Sequence, residues 1–251
     1  MPLLDHFHPP LKSLLQWGSM HVEWMSALSN SFNAALPPRF YAEPGAHFGI
    51  EIDVASLERF RDPAQNGDYG DWQPEWESPT ATATLPYAVA TDELETLLYE
   101  DASGGLRLVG AVEFVSPANK DRPESRQAFV SKCHGYLQHG VGVIVVDVVT
   151  DKHFNLHDAL MDFLGHPTRR MAGHTYVTAY RTTGKNGGGK LETWEHPLTV
   201  GAALPTVPMW LLGGICIPAK LEETYTETLR RLRVPQRLAD HAAATAPRAN
   251  P

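Results

Sequence analysis

One carboxylate lies inside an otherwise apolar segment of the chain, AVEFVSPANK at 111–120. The residues on both sides of Glu113 are apolar and favour a buried β-strand. An ionised carboxylate in such surroundings is costly unless it is paired or holds a metal ion. Two interpretations of Glu113 follow: a structural ion pair with a buried Arg or Lys, or a metal ligand.

Asp92 and Lys132 supply the other groups that metal-assisted hydrolysis requires. Asp92 opens the segment before the strand of Glu113, and Lys132 follows in the next helical segment. Carboxylates on adjacent strands can converge on one hard cation, which takes oxygen ligands. A nearby lysine can stabilise charge on a phosphoryl oxygen or help to deprotonate the attacking water. The three residues together predict a metal-dependent phosphodiesterase.

Asn119 and Lys120 follow the strand in a Ser-Pro-Ala-Asn-Lys turn. Such a turn can present Lys120 to a phosphate and Asn119 to a base edge. Asn and Lys are also ordinary residues of turns and helix starts. Substrate binding and a local structural role are therefore both open for these two residues.

Hydrophobic periodicity defines the elements that must position these side chains. We predict a helix over 19–36, a strand over 39–54, a hairpin of strands 93–100 and 106–115, a helix from Pro123 to about Gln138, and a buried strand in GVGVIVVDVVT. Apolar β-branched runs like the last are typical of strands covered on both faces. The order predicts an α/β fold with a mixed sheet flanked by helices in a single domain.

The predicted domain spans 1–235 and has two irregular parts. Residues 56–91 are rich in Pro and Trp and predict an irregular surface insertion. Later segments predict a short helix at HDALMDFLG, a hairpin of TYVTAYRTT and LETWEHPLTV, and a closing helix at AKLEETYTETLRRLRV. Residues 236–251 predict a disordered C-terminal tail.

Composition limits the classes of function. The net charge is −8 at pH 7, which weighs against strong non-specific binding of nucleic acid but allows local contacts with phosphates. No basic start followed by an apolar run and no membrane-spanning stretch is present, so we expect a cytoplasmic protein without a membrane partner. Cys133 and Cys216 have no CxxC spacing, so neither a disulfide framework nor a cysteine zinc site is supported.

The motif around Glu113 resembles that of a known family. VEFVSPANK followed by KCHGY resembles the pattern E-x-x-S-P-x-N-K…K-x-x-x-Y…G of a bacterial family of unknown function. WGSMHVEW also resembles the W-x-x-x-H segment of that family, so the resemblance spans roughly residues 1–235. The family is similar to Uma-type restriction-endonuclease-like proteins and, through them, to the PD-(D/E)XK nuclease superfamily.

The resemblance implies a restriction-endonuclease-like core in the order helix, strand, strand, strand, helix, strand. Carried over by position, Asp92 is the first acidic metal ligand, with Glu95 as the alternative, and Glu113 is the second. Thr91 replaces the usual proline before Asp92.

The lysine of the (D/E)-x-K pattern is found at a different position in this chain. Val115 stands where (D/E)-x-K requires lysine, and Lys132 on the following helix is the substitute. Tyr136 lies one turn further on the same helix face, as a substrate-binding residue.

Cofactor and partners follow from the same resemblance. It implies Mg²⁺ or Mn²⁺ as cofactor, DNA or RNA as partner and a homodimer. The alternative is a nuclease-like fold that has lost catalysis and serves as a binding or assembly module.

Two further residues on the first helix are interpreted structurally: His21 as a packed, hydrogen-bonded histidine and Glu23 as a solvated charge.

Overall fold

The computed structural model describes residues 1–47, 51–59, 72–87, 106–184 and 189–246. Its helices are α1 (Leu11–Leu14), α2 (Trp17–Ala35), α3 (Pro117–Asp121), α4 (Pro123–Gln138), α5 (Leu156–Phe163), α6 (Leu221–Arg231) and α7 (Val234–Thr245). Its strands are β1 (Phe40–His47), β2 (Glu51–Arg59), β3 (Ala83–Pro86), β4 (Leu106–Phe114), β5 (Gly142–Asp147), β6 (Tyr176–Thr183), β7 (Lys190–Pro197), β8 (Thr206–Trp210) and β9 (Cys216–Lys220).

Seven strands form one mixed sheet in the order β1-β2-β4-β5-β6-β7-β3. β4 and β5 run parallel, and the other neighbours in this sheet pair antiparallel. Every residue of β5 is buried, as expected for a central strand that is covered on both faces. β8 and β9 form a separate antiparallel hairpin.

Helices cover the two faces of the sheet in two groups. α4 packs against β5, β6 and α5 on one face. On the other face, α2 packs against β1, β2, β9 and α6, and Trp24 of α2 contacts Phe114 with 4.8 Å between ring centroids. Because side chains alternate along a strand, Glu113 projects to the opposite face from Phe114, toward α4.

Two glycines allow the β8–β9 hairpin to approach the sheet. A Cβ on Gly142 would lie 1.9 Å from the backbone oxygen of Trp210, and a Cβ on Gly110 would lie 2.2 Å from Met209 Cε. Gly110 and Gly142 are partners in the β4–β5 ladder. The missing side chains leave a notch across two strands, on the face of the sheet opposite Glu113.

Most of the predicted elements are confirmed. The predicted helices over 19–36 and from Pro123, the buried strand β5, the helix α5, the β6–β7 hairpin and the helix α6 are all present. An α/β fold with a mixed sheet flanked by helices is therefore confirmed. Among the described helices, none has the length and apolar character needed to cross a membrane.

The region between β1 and β4 departs from the prediction. The segment 39–54, predicted as one strand, contains β1 and the start of β2, which pair with each other. Apolar residues continue through Leu57, which is fully buried, so the predicted surface insertion 56–91 begins inside a core strand. Within the same segment, β3 adds an edge strand beside β7. The predicted strand 93–100 lies outside the described residues.

The predicted disordered tail is also partly wrong. Residues 236–245 belong to α7, which starts with Pro235 in its first turn, a position that suits proline. The side chain of Val234 is buried, and Arg237 donates a 2.9 Å hydrogen bond to the backbone oxygen of Leu14. These contacts hold α7 against the N-terminal part of the chain. Residues 247–251 lie outside the described residues.

Candidate functional site

Glu113 lies near the end of β4, with its side chain only 3% exposed. Its Oε2 atom accepts a 2.6 Å hydrogen bond from Lys132 Nζ, and its Oε1 atom accepts a 2.8 Å hydrogen bond from Tyr136 Oη. Lys132 and Tyr136 are one turn apart on α4, so the predicted common face of these two residues is confirmed. The helix that follows β4 thus supplies both partners of the buried carboxylate.

Asp53 on β2 is the acidic neighbour of Glu113. Val54 pairs with Val112 at the end of the antiparallel β2–β4 ladder, and Asp53 and Glu113 are the next residues of the two strands beyond this pair. Asp53 Oδ2 accepts a 2.7 Å hydrogen bond from the backbone N–H of Phe114. The structure therefore brings two carboxylates together at the junction of β2 and β4.

Burial and neighbouring charges shift the acidity of Glu113. Removal from water raises its pKa to about 7. The Lys132 ammonium opposes this shift, whereas the Asp53 carboxylate adds to it. A carboxyl with a pKa near neutrality can gain or lose a proton at small cost at pH 7, as acid–base chemistry and metal binding require.

His21 of α2 closes the site on the side of Asp53. Its Nε2 atom lies 3.2 Å from Asp53 Oδ2 but is buried without a hydrogen-bond partner in the described part of the chain. The ring stacks on Trp17 with an interplanar angle of 5° and meets the edge of Phe114 at 5.7 Å. The predicted packing of His21 is thus confirmed, whereas the predicted hydrogen bond is not formed by Nε2, which lies beside the Asp53 carboxylate.

Glu23, two residues further along α2, behaves as predicted. It forms a 3.0 Å ion pair with Arg231 on the surface, where both side chains are at least 30% exposed. Such pairs contribute little to stability. Glu23 is not part of the candidate site.

Lys120 and Asn119 make contacts within the chain. Lys120 is almost fully buried, and its Nζ atom lies 2.8 Å from Asp147 Oδ2 and 3.0 Å from the backbone oxygen of His174. Asn119 Oδ1 accepts hydrogen bonds from the backbone N–H and the hydroxyl of Ser116, which caps the first turn of α3. Both residues take the structural role that the sequence left open, and none of these contacts favours substrate binding.

The first predicted metal ligand stays a prediction. Asp92 and its alternative Glu95 are outside the described residues, and sequence analysis did not select Asp53. The signal was present: Asp53 stands between Ile52 and Val54, an acid inside an apolar strand, as Glu113 does on β4.

The donor set fits a hard divalent cation. Asp53 and Glu113 offer carboxylate oxygens, and Mg²⁺ commonly binds through one or two carboxylates while it keeps several waters. The Asp53 side chain is 14% exposed, so solvent reaches this end of the site. In the described ranges, no group of three or more His, Cys, Asp or Glu is arranged to hold a metal ion, so these residues form no closed zinc-type site.

Comparisons of this chain with protein families, with curated proteins and with solved structures found no match.

Proposed function

We propose that the protein is a Mg²⁺- or Mn²⁺-dependent phosphodiesterase of the PD-(D/E)XK type that acts on DNA or RNA. The observation that carries this proposal is the convergence of Asp53 and Lys132 on Glu113, from two adjacent strands and the following helix. In this proposal, Asp53 takes the role of first acidic ligand for which the sequence had suggested Asp92.

The order of the elements supports the same proposal. When the edge strand β3 and the five-residue helix α3 are left aside, α2, β1, β2, β4, α4 and β5 follow the order helix, strand, strand, strand, helix, strand that the family resemblance implies. In this arrangement the first acid lies on the second strand, the second acid on the third strand and the lysine on the second helix. A restriction-endonuclease-like core is thus a proposal supported by element order together with the position of the acids.

Each residue has a role that its surroundings favour. Asp53 and Glu113 would hold the cation, which when bound would lower the pKa of a water and neutralise charge on a phosphoryl oxygen. Lys132 places a positive charge next to the carboxylates, where it can stabilise the additional negative charge of the transition state. Tyr136 fixes the Glu113 carboxylate by donating to its second oxygen.

A second candidate is a nuclease-like fold without catalysis that serves as a binding or assembly module. One observation favours it: both Glu113 oxygens already accept hydrogen bonds and the side chain is nearly sealed from solvent. A satisfied pair of this kind can be purely structural. In this case Glu113 and Lys132 would stabilise the α4–β4 contact and bind no metal.

The deciding experiment combines metal binding with cleavage. Wild type, Asp53→Asn, Glu113→Gln and the surface control Glu23→Gln are compared by thermal unfolding with and without about 5 mM Mg²⁺ or Mn²⁺. Labelled single- and double-stranded DNA and RNA are incubated under the same conditions. We expect metal to raise the melting temperature and support cleavage in wild type and Glu23→Gln only, with activity at least about 100-fold lower in the two site variants.

One result would contradict the catalytic proposal. If folded wild-type protein gains no stability from either metal and cleaves none of the nucleic acids, the catalytic proposal fails and the binding module replaces it. Circular dichroism of each variant shows whether the fold is retained.

A further inference from the structure

A cavity of about 680 Å³ lies near the edge of the sheet formed by β7 and β3, away from Glu113 on the inner strand β4. Its walls come from β3, β6 and β7, from the β8–β9 hairpin and from the segment 72–81. Its size is within the range of pockets that bind small molecules. Arg181 and Trp194 line it from the face of the sheet that carries the β8–β9 hairpin, so it is separate from the candidate catalytic site.

Four indole rings dominate the wall of this cavity: Trp72, Trp76, Trp194 and Trp210. Trp72 and Trp194 are fixed by their ring nitrogens, which donate to the backbone oxygens of Ala35 at 3.1 Å and of Pro79 at 2.7 Å. Trp194 and Trp210 pack with 6.2 Å between ring centroids. We call this set of four rings the tryptophan cluster.

The described lining of the cavity carries a net negative charge. Among the described lining residues, Arg181 is the one cation, and Glu77 and Glu192 are carboxylates, so one positive charge faces two negative charges. Phosphate and carboxylate ligands are therefore disfavoured by like charge. A positively charged ligand would restore neutrality.

Arg181 shows which kind of group this wall accepts. Its guanidinium lies 3.7 Å from the centre of the Trp210 ring, and its Nη1 atom is 3.6 Å from Glu192 Oε2. An organic cation between an indole face and a carboxylate is thus already present in the wall. Trp76, Trp194 and Glu77 offer further indole faces and a second carboxylate, and Arg181 is the one cation among the described lining residues.

We propose that the tryptophan cluster binds a small organic cation of the methylated ammonium class. Aromatic faces attract such cations through the ring quadrupole, and enclosed sites of several rings are used for quaternary ammonium ligands. Glu77, an exposed lining residue, supplies the counter-charge. This site does not depend on the proposed nuclease function.

The test uses choline and its uncharged isostere 3,3-dimethylbutan-1-ol as probes, with binding followed by tryptophan fluorescence and calorimetry on the full chain. We expect choline to bind wild type at least tenfold more tightly than the isostere. Trp76→Leu should weaken choline binding about tenfold, and Glu77→Gln about threefold. Glu75→Gln should change nothing, since Glu75 is exposed two residues away and does not line the cavity.

The Arg181→Gln variant tests whether choline affinity rises or falls when the cation of the cavity wall is removed. The substitution frees the Trp210 face and the Glu192 carboxylate, so choline affinity should rise severalfold. A loss of affinity in folded Arg181→Gln would mean that the guanidinium recognises the ligand, which overturns the proposal. Equal binding of choline and the isostere, or binding of neither, also overturns it, and this comparison on wild type needs no variant to fold.

Discussion

The adjacent parallel strands β4 and β5 each carry a buried acid that pairs with a lysine of a helix, and the two pairs differ in their access to solvent. Glu113 on β4 pairs with Lys132 of α4, whose side chain is 23% exposed. Asp147 on β5 pairs with Lys120 of α3, and both side chains are 0% exposed. We refer to them as the open pair and the sealed pair.

The partners of each lysine explain the difference. In the sealed pair, Lys120 contacts both oxygens of Asp147 and a backbone oxygen, so its hydrogen-bonding capacity is used inside the protein. Burial raises the pKa of Asp147 to about 7 and lowers the pKa of Lys120. In the open pair, Asp53 lies beside the acid, so a second negative charge is available to a ligand. The comparison indicates a fold-stabilising role for the sealed pair, and it is consistent with the proposal that chemistry takes place at the open pair.

The sequence motif E-x-x-S-P-x-N-K contributes one residue to each of the two pairs. Glu113 at the start of E-x-x-S-P-x-N-K belongs to the open pair, whereas Lys120 at its end belongs to the sealed pair. One short segment therefore supplies a candidate metal ligand and a fold-stabilising cation. Residues of a motif need not share one role.

The largest effect on stability is expected from Lys120→Met, which leaves Asp147 buried without its cation. We expect the free energy of unfolding to fall by about 3–5 kcal/mol. Equilibrium unfolding in urea measures this change. Lys152→Met is the control because Lys152 forms an exposed pair with Asp121, and it should have little effect. If the two variants were equally stable, the sealed pair would not hold the fold.

Lys132→Met should separate activity from stability in the open pair. If the proposed function holds, cleavage of nucleic acid should fall about 100- to 1000-fold, because a positive charge next to the scissile phosphate is lost. The free energy of unfolding should fall by only about 1–2 kcal/mol, since the Lys132 side chain is already partly exposed and Glu113 keeps its hydrogen bond to Tyr136. Single-turnover cleavage and urea unfolding are measured on the same preparation. Unchanged cleavage would make Lys132 a structural residue like Lys120.

The open pair also predicts how stability depends on pH. Burial holds the pKa of Glu113 at about 7, so the native protein keeps this proton while the unfolded chain releases it near its ordinary value. The unfolded state binds fewer protons in this interval, so stability falls as pH rises from about 5 to 7.5. Wild type should lose about 2 kcal/mol relative to Glu113→Gln over that interval. Asp147 titrates in both proteins, so the difference isolates Glu113, and parallel curves would place its pKa near the ordinary value.

The smallest effect is expected from Tyr136→Phe. It removes the hydrogen bond to Glu113 Oε1 and should cost about 1 kcal/mol of stability. The bond favours the ionised carboxylate, so its loss should move the pH-dependent fall in stability to higher pH. Urea unfolding at several pH values measures both changes. A fall that moves to lower pH would show that Tyr136 stabilises the protonated form instead.

The sequence predicted the parts of the site that depend on local spacing. Glu113 was identified as a charge inside an apolar strand, and Lys132 and Tyr136 as neighbours on one helix face. The structure confirms these relations. They could be predicted because backbone geometry fixes the periods of helices and strands.

Relations between distant segments could not be predicted in the same way. Asp53 reaches Glu113 only because β2 pairs with β4, and the apolar pattern of 39–54 does not show that the chain reverses within it. Likewise, Lys120 meets Asp147 through the β4–β5 pairing, which no local pattern encodes. By contrast, α7 had a local signal, a proline in its first turn followed by alanines with high helix propensity.

The notch formed by Gly110 and Gly142 also fixes how β4 can align. Gly110 receives Met209 from one side of the sheet, while three residues later Glu113 receives Lys132 from the other. A slip of β4 by one residue would exchange its two faces. The carboxylate would then point into the aromatic layer of Trp24, and the hairpin would meet a side chain where it needs none. A shifted register of β4 would thus lose stability on both faces of the sheet. The native register therefore fixes the position of Glu113 without any bound ligand.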